Sequence, residues 1–380
     1  MCSTKHSGGS CIVLTVNTGS TSVKLTAFDV RSPDEIKEIS RASLRGAQPV
    51  AREGLRAFMA QLPAPPAALA HRVVHGGRRF SAPVRIDSSV LAALRELSEL
   101  APLHNPKALE WIEAACDVAG PGVAQVAAFD TAFFSSLPRV AGEYALASRY
   151  GVDQDVRRYG FHGLAHEALW RRWSQLHGDL PLGGRVITLQ MGGGVSAAAI
   201  NRGKPLDTSM GFSPLEGLVM ATRSGDVDPA IVPYLEKRLG KNSAGILELL
   251  NRQSGVTGLS GGRTNLGELA ADPSAEAQFA VDLYCYRARK YIGAYLAVLG
   301  GCDGIVFGGG VGEHVPAVRQ RMLAGMNWAG IEIDAAANEA ARGQEARIDT
   351  LRLPVRVHVI PVEEERALLA AALAVIAPAG

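Results

Sequence analysis

Residues 12–28, IVLTVNTGSTSVKLTAF, carry the pattern from which the fold of this chain is predicted. An apolar run leads into the polar turn at residues 17–22, and residues 23–28 then alternate between polar and apolar as a strand does. Residues 186–200, VITLQMGGGVSAAAI, repeat this pattern of strand, turn and strand. Aligning Asn17 with Gln190 gives an offset of 173 residues, close to half of the 380-residue chain. A repeat at half length predicts two similar α/β halves that face each other across a cleft, which is a natural ligand site.

A third apolar strand, residues 304–307, also runs into a glycine-rich turn, GGGVG at residues 308–312. Backbone N–H groups in tight turns form concavities that bind anions, and small residues let a phosphate approach. The side chains of Asn17, Ser20, Thr21 and Ser22 add further polar groups to the first turn. Three such turns predict a nucleotide or polyphosphate ligand. Residues 192–197 fit G-x-G-x-x-A, but the chain turns again at residues 201–204 instead of opening a helix, so we reject a dinucleotide fingerprint.

The composition excludes several classes of protein. With 39 Lys and Arg against 37 Asp and Glu, the net charge is +2 and no basic patch stands out, so we predict no nucleic-acid partner. The five cysteines form no C-x-x-C pair, which favours reduced thiols and a cytosolic protein. We expect no targeting segment and no membrane partner, because the apolar run at residues 367–377 is too short to span a bilayer and is interpreted as a buried helix.

Three other segments have the pattern of helices. Residues 88–100 carry apolar residues at helical spacing, with Ser88 as the predicted N-cap. Residues 277–299 form a long stretch that is apolar on one face, and residues 316–326 begin with a proline in a first-turn position.

Five places carry side chains suited to catalysis, and the local sequence leaves two interpretations open for each. Arg72 and Arg223 are either solvated surface charges or planar forks for a carboxylate or phosphate. His162 is either structural or catalytic. Asp130 ends an apolar strand as a helix cap or as an acid beside a metal, and the acids at 363–365 form the first turn of a helix or hold Mg²⁺.

Six segments, in order along the chain, resemble the acetate kinase family. They are NTGSTSVK at 17–24, HRVVHGG at 71–77, APLHNP at 101–106, FDTAF at 129–133, RYGFHG at 158–163 and DTSMGFSPLEGLVMATRSGDVDPA at 207–230. The resemblance implies an α/β fold of two duplicated actin/ribonuclease-H-like domains that face each other across a cleft. Residues 1–130 with 366–380 would form an acyl-substrate lobe, and residues 131–365 a nucleotide-binding lobe.

The same resemblance implies an activity and its partners. The expected reaction is the reversible, Mg²⁺-dependent transfer of the γ-phosphoryl group of ATP to acetate or propionate, which gives an acyl phosphate and ADP. A cytoplasmic homodimer is expected from the family alone. The physical chemistry is consistent with this reaction, because a carboxylate is already a nucleophile and the barrier comes from crowding of anions, which cations and a metal ion relieve.

Residue roles are carried over by similarity. Arg72 and Arg223 would hold the carboxylate and the transferring phosphoryl group, and His162 would donate to its equatorial oxygens. Asp130 would be the catalytic acid that orients the attack and the metal shell. Asn17 and Glu364 would lie on the Mg²⁺ side. The pocket for the acyl methyl group would be lined by Val74, Leu103 and Pro214. The expected nucleotide-binding residues are Lys24, Gln190, Gly192, Gly193, Gly194, Asn265, Leu266, Gly267, Gly310, Val311, Gly312, Glu313 and His314.

The donor-side motifs depart from the family pattern, whereas the acceptor-side motifs match it. The family's H-L-G-N-G reads QMGGG at 190–194, its G-I-G-E-N reads GVGEH at 310–314, and its P-T-N-E-E reads PVEEE at 361–365. The family has a further stretch in which an acidic residue is followed by an aromatic or apolar residue and an arginine, and this stretch reads NLG at 265–267. One interpretation is ATP with an altered base pocket, and another is a different donor such as diphosphate or another nucleotide. A third is a non-catalytic relative that binds nucleotide or acyl phosphate. A sugar or polyphosphate kinase of the same fold is disfavoured by the apolar acyl pocket.

Overall fold

The computed structural model describes residues 10–19, 22–32, 34–45 and 51–376. Its strands are β1 Cys11–Thr18, β2 Ser22–Ser32, β3 Glu35–Arg45, β4 Ala68–Val73, β5 Val84–Arg85, β6 Ala124–Phe129, β7 Arg185–Met191, β8 Val195–Asn201, β9 Lys204–Thr208, β10 Gly304–Gly308, β11 Ala346–Arg347 and β12 Arg356–Val359. Ser20 and Thr21, expected to line the first turn, lie outside the described residues, as do Cys2 and Ala377.

The α-helices are α1 Ala51–Met59, α2 Ser88–Glu96, α3 Asn105–Ala119, α4 Arg139–Gly142, α5 Gly163–Leu176, α6 Ile231–Leu239, α7 Ser243–Arg252, α8 Gly255–Leu259, α9 Leu266–Ala271, α10 Ala275–Leu299, α11 Gly309–His314, α12 Pro316–Leu323, α13 Ala335–Ala340 and α14 Glu364–Ile376. Short 3-10 segments occupy Leu97–Glu99, Ala132–Ser136, Ser148–Tyr150, Val152–Gln154, Pro181–Gly183 and Asn327–Ala329. None of the helices within the described ranges is long and apolar enough to cross a membrane.

The described residues form two compact units. Unit 1 comprises those within Met1–Ser135, Gly163–Ala165 and Glu363–Gly380, and unit 2 those within Ser136–His162 and His166–Val362. Each unit contains one six-stranded sheet. The acyl-substrate and nucleotide-binding roles assigned to the two lobes from the sequence remain predictions.

The two sheets have the same topology. Their orders are β3-β2-β1-β4-β6-β5 and, in the same direction, β9-β8-β7-β10-β12-β11. In each sheet the first three strands form an antiparallel meander, and two further long strands are parallel to the first. A short antiparallel strand closes the edge. The predicted duplication is confirmed, because equivalent strands follow one another in equivalent order.

The registers confirm the predicted offset between the halves. Asn17 is the second-last residue of β1 and pairs with Lys24 on β2. Gln190 is the second-last residue of β7 and pairs with Ser196 on β8. Because β7 and β8 form a hairpin, Gly192–Gly194 is a turn between strands, as the rejection of a dinucleotide fingerprint required.

Alternation along the strands places the core of unit 1 on both faces of its sheet. Leu14 on β1 and Leu25 on β2 pack with Trp111 of α3, and all three side chains are buried. On the opposite face, Val13 packs with Leu368 of α14. The buried helix predicted for the C-terminal apolar run is therefore confirmed as α14, as far as Ile376.

Helices α2 and α12 begin at the predicted residues Ser88 and Pro316, but the predicted N-cap of α2 is wrong. Helix α10 begins at Ala275 and contains the predicted 277–299, and α12 ends at Leu323. Helix α2 begins at Ser88, but its N-cap is Asp87, whose Oδ1 accepts a hydrogen bond from the Val90 N–H at 2.8 Å. A carboxylate one residue earlier in the chain reaches the orphan N–H groups of the first turn and leaves Ser88 inside the helix.

Candidate functional site

The first group of predicted side chains lies at one edge of the sheet of unit 1. Asn17 is near the end of β1, Arg72 near the end of β4, and Asp130 directly follows β6. These neighbouring strands are parallel, so their carboxyl ends meet at the same edge. Glu364, the first residue of α14, joins them there. We call these four residues the Arg72 cluster.

The Arg72 guanidinium makes most of the contacts in this cluster. Its Nε donates to both Asp130 oxygens at 3.1 Å, and its Nη2 donates to Asp130 Oδ2 at 2.7 Å. Its Nη1 donates to Asn17 Oδ1 at 3.2 Å and to Glu364 Oε2 at 3.1 Å. Asn17 Nδ2 donates to Glu364 Oε2 at 2.8 Å and to Glu365 Oε1 at 3.2 Å. The Arg72 charge therefore has carboxylate partners within its own unit.

Burial and these carboxylates act on Arg72 in opposite directions. Arg72 is 9% exposed and Asp130 only 1%. Burial lowers the pKa of Arg72, but Asp130 and Glu364 outweigh it and raise the pKa above its ordinary value. A buried ion pair of this kind costs desolvation energy that is recovered only with good geometry.

Other acceptor-side residues of unit 1 surround the segment after β4. Val74 is buried, whereas Leu103 is 55% exposed. Asn105 fixes the backbone of His75 from both sides, because its Oδ1 accepts from the His75 N–H and its Nδ2 donates to the His75 carbonyl. Burial lowers the pKa of His75 to about 4. Lys24 is half-exposed and pairs with Glu365 at 3.4 Å.

The second group lies in unit 2, around the turn between β7 and β8. A Cβ built on Gly194 would be 3.1 Å from His162 Cε1, 3.2 Å from His162 Nε2 and 3.3 Å from Arg223 Nη1. Both side chains therefore approach the backbone of the second glycine turn, and a larger residue there would displace them. We call His162, Gly194 and Arg223 the Arg223 cluster.

Arg223 lacks the carboxylate partners that Arg72 has. Its Nη1 donates to the Pro214 carbonyl at 3.3 Å and approaches the Met220 sulfur at 3.7 Å. Within the described ranges, no carboxylate forms an ion pair with it. Burial lowers the pKa of Arg223 below its ordinary value, with no compensating acid. Buried cations are normally paired, so this guanidinium is suited to receive an anion from outside the chain.

Glycines and backbone hydrogen bonds fix the turn that carries Arg223. The Met220 N–H donates to the Arg223 carbonyl at 3.1 Å, and the Ala221 N–H donates to the Gly193 carbonyl at 3.2 Å. Gly255 has φ +60°, and a Cβ there would be 2.6 Å from the Arg223 carbonyl oxygen. Only a glycine accommodates both constraints.

His162 is held by a chain of polar side chains that the sequence did not single out. It has φ 57°, in the left-handed region, and its Nδ1 lies 2.8 Å from Ser196 Oγ. Ser196 Oγ lies 2.7 Å from His166 Nε2, and His166 Nδ1 lies 2.7 Å from Thr188 Oγ1. The available signal was the spacing of His162 and His166, four residues apart at the start of α5, where His162 is the N-cap.

Apart from Lys24 in unit 1, the predicted nucleotide-binding residues fall in three places of unit 2. Gln190 is the second-last residue of β7, and its Oε1 is buried with no hydrogen-bond partner in the described part of the chain. Gly192 and Gly193 complete the turn with Gly194. The segment Gly310-Val311-Gly312 forms the middle of α11, where Glu313 Oε1 accepts from the N–H groups of Gly309 and Val362 at 2.8 and 3.1 Å.

Two donor-side positions have structural roles in unit 2. Asn265 is the N-cap of α9, and its Oδ1 accepts from the N–H groups of Gly267 and Glu268. Leu266 is 3% exposed. His314 packs against Gly343. The nucleotide-binding roles of all these residues, like the catalytic and substrate roles above, remain predictions.

Solved structures establish the class of protein. A crystal structure of Porphyromonas gingivalis acetate kinase has a TM-score of 0.86 and 36% identity, covering 96% of this chain and 100% of that one. A propionate kinase from Francisella tularensis has a TM-score of 0.85 and 29% identity, covering 96% and 100%. The chain thus has the duplicated actin-like fold, in the class of phosphotransferases with a carboxyl group as acceptor.

Sequence comparisons identify the family within this class. A family model described as the acetokinase family matches residues 50–370. An acetate kinase of Chloroherpeton thalassium is 46% identical over 303 residues, which are 78% of this chain and 73% of that protein. An acetate kinase of Heliobacterium modesticaldum is 39% identical and covers 93% of this chain and 96% of its own. The chain belongs to the acetokinase family.

Proposed function

We propose that the protein catalyses reversible transfer of the γ-phosphoryl group of ATP to acetate or propionate. A carboxylate oxygen attacks the γ-phosphorus, the bond from that phosphorus to the bridging oxygen breaks, and ADP leaves with the electron pair. The other product is the acyl phosphate. Because a carboxylic acid is ionised near neutral pH, the attack needs no general base. Solved relatives named acetate kinase and propionate kinase support this substrate class.

The observation that carries the proposal is the unmatched charge of Arg223. A partly buried guanidinium without an acid partner, beside His162 and a glycine turn, favours an anion of the size of a phosphoryl group. In the proposed reaction, Arg223 and His162 stabilise the negative charge of the transferring group. Arg72 holds the carboxylate and the phosphoryl group, and Asp130 orients Arg72 and the metal shell. This is catalysis by positioning and electrostatics.

Asn17 and Glu364 are the residues proposed to lie on the Mg²⁺ side. Their amide and carboxylate oxygens are hard donors, which Mg²⁺ prefers, and they lie in one hydrogen-bonded cluster with Asp130. The described residues contain no group of three or more His, Cys, Asp or Glu arranged to hold a metal ion. Mg²⁺ binds through one or two carboxylates together with waters and substrate phosphates, so Glu364 together with Asn17 would be sufficient to hold it. When bound, it would neutralise charge on the phosphates.

The acyl pocket is proposed from Val74, Leu103 and Pro214, whose apolar side chains suit a methyl or ethyl group and oppose a polyol. A short carboxylate series tests this proposal. We expect activity to fall as the acyl chain grows beyond propionate, because extra methylenes must displace packed side chains. Equal kcat/KM for acetate and a six-carbon acid would contradict it.

The phosphoryl donor is the part of the reaction with a specific alternative. Where the family has an acidic residue, an aromatic or apolar residue and an arginine, this chain has Asn265, which caps α9, and Leu266, which is buried, so the side-chain contacts to a nucleoside would differ from those of the family. We therefore propose ATP as the donor with a relaxed nucleotide preference. Steady-state assays with ATP, GTP and diphosphate measure this directly. A strong, exclusive preference for ATP would refute the relaxed preference without affecting the acyl chemistry.

Trapping of the acyl phosphate with hydroxylamine tests the activity itself. Purified protein with Mg²⁺, ATP and acetate or propionate is expected to give the acyl hydroxamate. The Arg223→Met variant is expected to give almost none. Arg139→Met, which removes an exposed arginine paired with Glu143 in the same unit, is the matched control and should retain activity. No hydroxamate from acetate, propionate or butyrate with the native protein would refute the proposal.

The location and assembly are proposed from the sequence resemblance. We propose a cytoplasmic homodimer. The described cysteines Cys116, Cys285 and Cys302 are free, in keeping with a reducing compartment. Light scattering after gel filtration measures the assembly, and a mass near 40.0 kDa for one chain would contradict a dimer.

A further inference from the structure

The polar chain behind His162 consists of four side chains in unit 2 that contact one another in series. Thr188 on β7 faces His166 on α5, His166 faces Ser196 on β8, and Ser196 faces His162, with separations of 2.7, 2.7 and 2.8 Å. Thr188, His166 and Ser196 are all 0% exposed. The protons of these three side chains therefore need acceptors within the protein rather than in water.

Counting protons selects one arrangement. Burial lowers the pKa of His166 well below its ordinary value, so this ring is neutral and carries a single proton. In the part of the chain that the structure describes, Thr188 Oγ1 has no second hydrogen-bond partner, and its proton can go only to His166 Nδ1. The His166 proton is then on Nε2 and donates to Ser196 Oγ, and the Ser196 proton donates to His162 Nδ1.

Each of the other possible hydrogen-bond directions leaves one buried proton without an acceptor. If His162 donated from Nδ1 to Ser196, Ser196 would donate to His166 Nε2, and His166 would donate from Nδ1 to Thr188. The Thr188 hydroxyl proton would then have no acceptor. If both rings donated to Ser196, the Ser196 proton would be stranded instead. Leaving a buried donor without an acceptor costs free energy, which favours the arrangement in which every proton is donated.

We propose that Thr188, His166 and Ser196 are positioning residues that hold His162 as its Nε2–H tautomer. Nδ1 of His162 then accepts from Ser196, and the Nε2–H bond is directed towards the Gly194 and Arg223 side of the ring. His162 thereby donates a hydrogen bond to an anion without first becoming charged. This deepens the proposed function, because it assigns how His162 would contact the transferring phosphoryl group.

The first test reads the tautomer in the ligand-free protein and does not depend on activity. Selective ¹⁵N labelling of the histidines, with His162→Gln used to assign the signals, reports which ring nitrogen of His162 carries the proton. At a pH near 8 we expect a protonated-type Nε2 and an unprotonated-type Nδ1. A protonated Nδ1 in the native protein would overturn the proposal, whatever the enzyme catalyses.

The variants separate positioning from packing. Ser196→Ala and Thr188→Val remove the hydroxyl groups, and we expect both to shift the His162 ring nitrogen signals towards an average of the two tautomers. Thr15→Val is the matched control, because Thr15 holds the same position in β1 that Thr188 holds in β7, is also 0% exposed, and donates to a backbone carbonyl. It should lose similar stability and leave the His162 signals unchanged. Unchanged signals in Ser196→Ala and Thr188→Val would overturn the proposal.

The kinetic test uses rescue. His166→Gln retains an N–H group that can donate to Ser196, whereas His166→Met does not. We expect His166→Met to lower kcat by about tenfold, the lower end of the effect of removing a partner that orients a metal-bound histidine, with little change in the KM for acetate. His166→Gln should recover most of this loss. Equal losses in both variants would contradict positioning, whereas failure of the native protein to make acyl phosphate would refute only the proposed function.

Discussion

The edges at the carboxyl ends of the parallel strands differ between the two equivalent sheets in whether an arginine there has a carboxylate partner. In unit 1, Arg72 follows the residue of β4 that pairs with Val16, and it meets Asp130 and Glu364. In unit 2, the equivalent position on β10 is Gly308, where a Cβ would be 2.6 Å from Val362 and 2.7 Å from Leu169. The first edge holds a charge with its counter-charge. The second has a glycine against apolar side chains, and the guanidinium near its turn has no carboxylate partner in the described part of the chain. A duplicated fold thus provides one matched and one unmatched cation.

The Arg72→Met variant should give the largest combined effect on stability and activity, because it removes the cation of the buried Arg72–Asp130 ion pair. Removing the guanidinium takes the Arg72 partner away from the buried Asp130 carboxylate, which we expect to cost about 3–5 kcal/mol in the free energy of unfolding. Activity should be lost as well. Denaturant unfolding of the variant measures the first effect, and the double variant Arg72→Met with Asp130→Asn should regain stability without regaining activity. A single variant as stable as the native protein would show that the pair is not buried as described.

The Arg223→Met variant removes the guanidinium that has no carboxylate partner in the described part of the chain. It should lower activity without lowering stability. We expect kcat to fall by about 10³-fold, by analogy with arginine groups that stabilise phosphoryl transfer. The unfolding midpoint should stay level or rise, since the variant removes a partly buried cation without an acid partner. Steady-state kinetics and thermal unfolding measure the two quantities on one preparation. A loss of stability like that of Arg72→Met would mean that the two arginines do not differ in charge matching.

The two sides also differ in how much of the arrangement the sequence could predict. The strand, turn and strand pattern and the 173-residue offset predicted the duplicated sheets, because alternation and turn residues are local signals. The partners of Arg72 are 58 and 292 residues away, so no local pattern could pair them. Asp130 could be a cap or a metal-side acid by sequence, and only the meeting of β4 and β6 gave it Arg72 as a partner.

The Gly194→Ala variant tests how closely His162 and Arg223 approach the glycine turn of unit 2. The new methyl group would lie 3.1 Å from His162 and 3.3 Å from Arg223, so both side chains must move by a few tenths of an ångström. We expect kcat to fall by about tenfold, since small displacements of positioned groups are costly in rate. Gly293→Ala is the matched control, because it lies in α10 of the same unit, outside the predicted site, and nothing lies within 4 Å of its Cβ. Equal kinetics in the two variants would contradict the described approach of His162 and Arg223.

The support behind His162 was missed at the sequence level for a physical reason. Ser196 and Thr188 look like ordinary polar residues in strands, and His166 like a helix residue. Their meeting depends on the hairpin register of β7 and β8 and on the packing of α5 against that hairpin. The cap of α2 shows the same limit at short range, because Asp87 and Ser88 are both good capping residues and the sequence does not choose between them.

The His71→Gln variant should give the smallest effect and acts on unit 1 alone. Burial lowers the pKa of His71 to about 4, below the ordinary value of 6.5, although its hydrogen bond to Gln125 raises it. The unfolded chain therefore binds the proton first, and this contribution to stability is present above pH 6.5 and is lost as the pH falls towards 4. The glutamine keeps a donor for Gln125 without titrating. Between pH 7 and pH 5, its free energy of unfolding should fall by about 2 kcal/mol less than that of the native protein.

Thermal unfolding with and without saturating inorganic phosphate tests most directly whether the unmatched guanidinium is an anion site. Phosphate that binds only the folded state raises the unfolding midpoint by mass action. The native protein and the Arg139→Met control should show this rise, and Arg223→Met should show almost none. If phosphate raised the unfolding midpoint of Arg223→Met as much as that of the native protein, the assignment of Arg223 as the cation that binds the phosphoryl group would be contradicted.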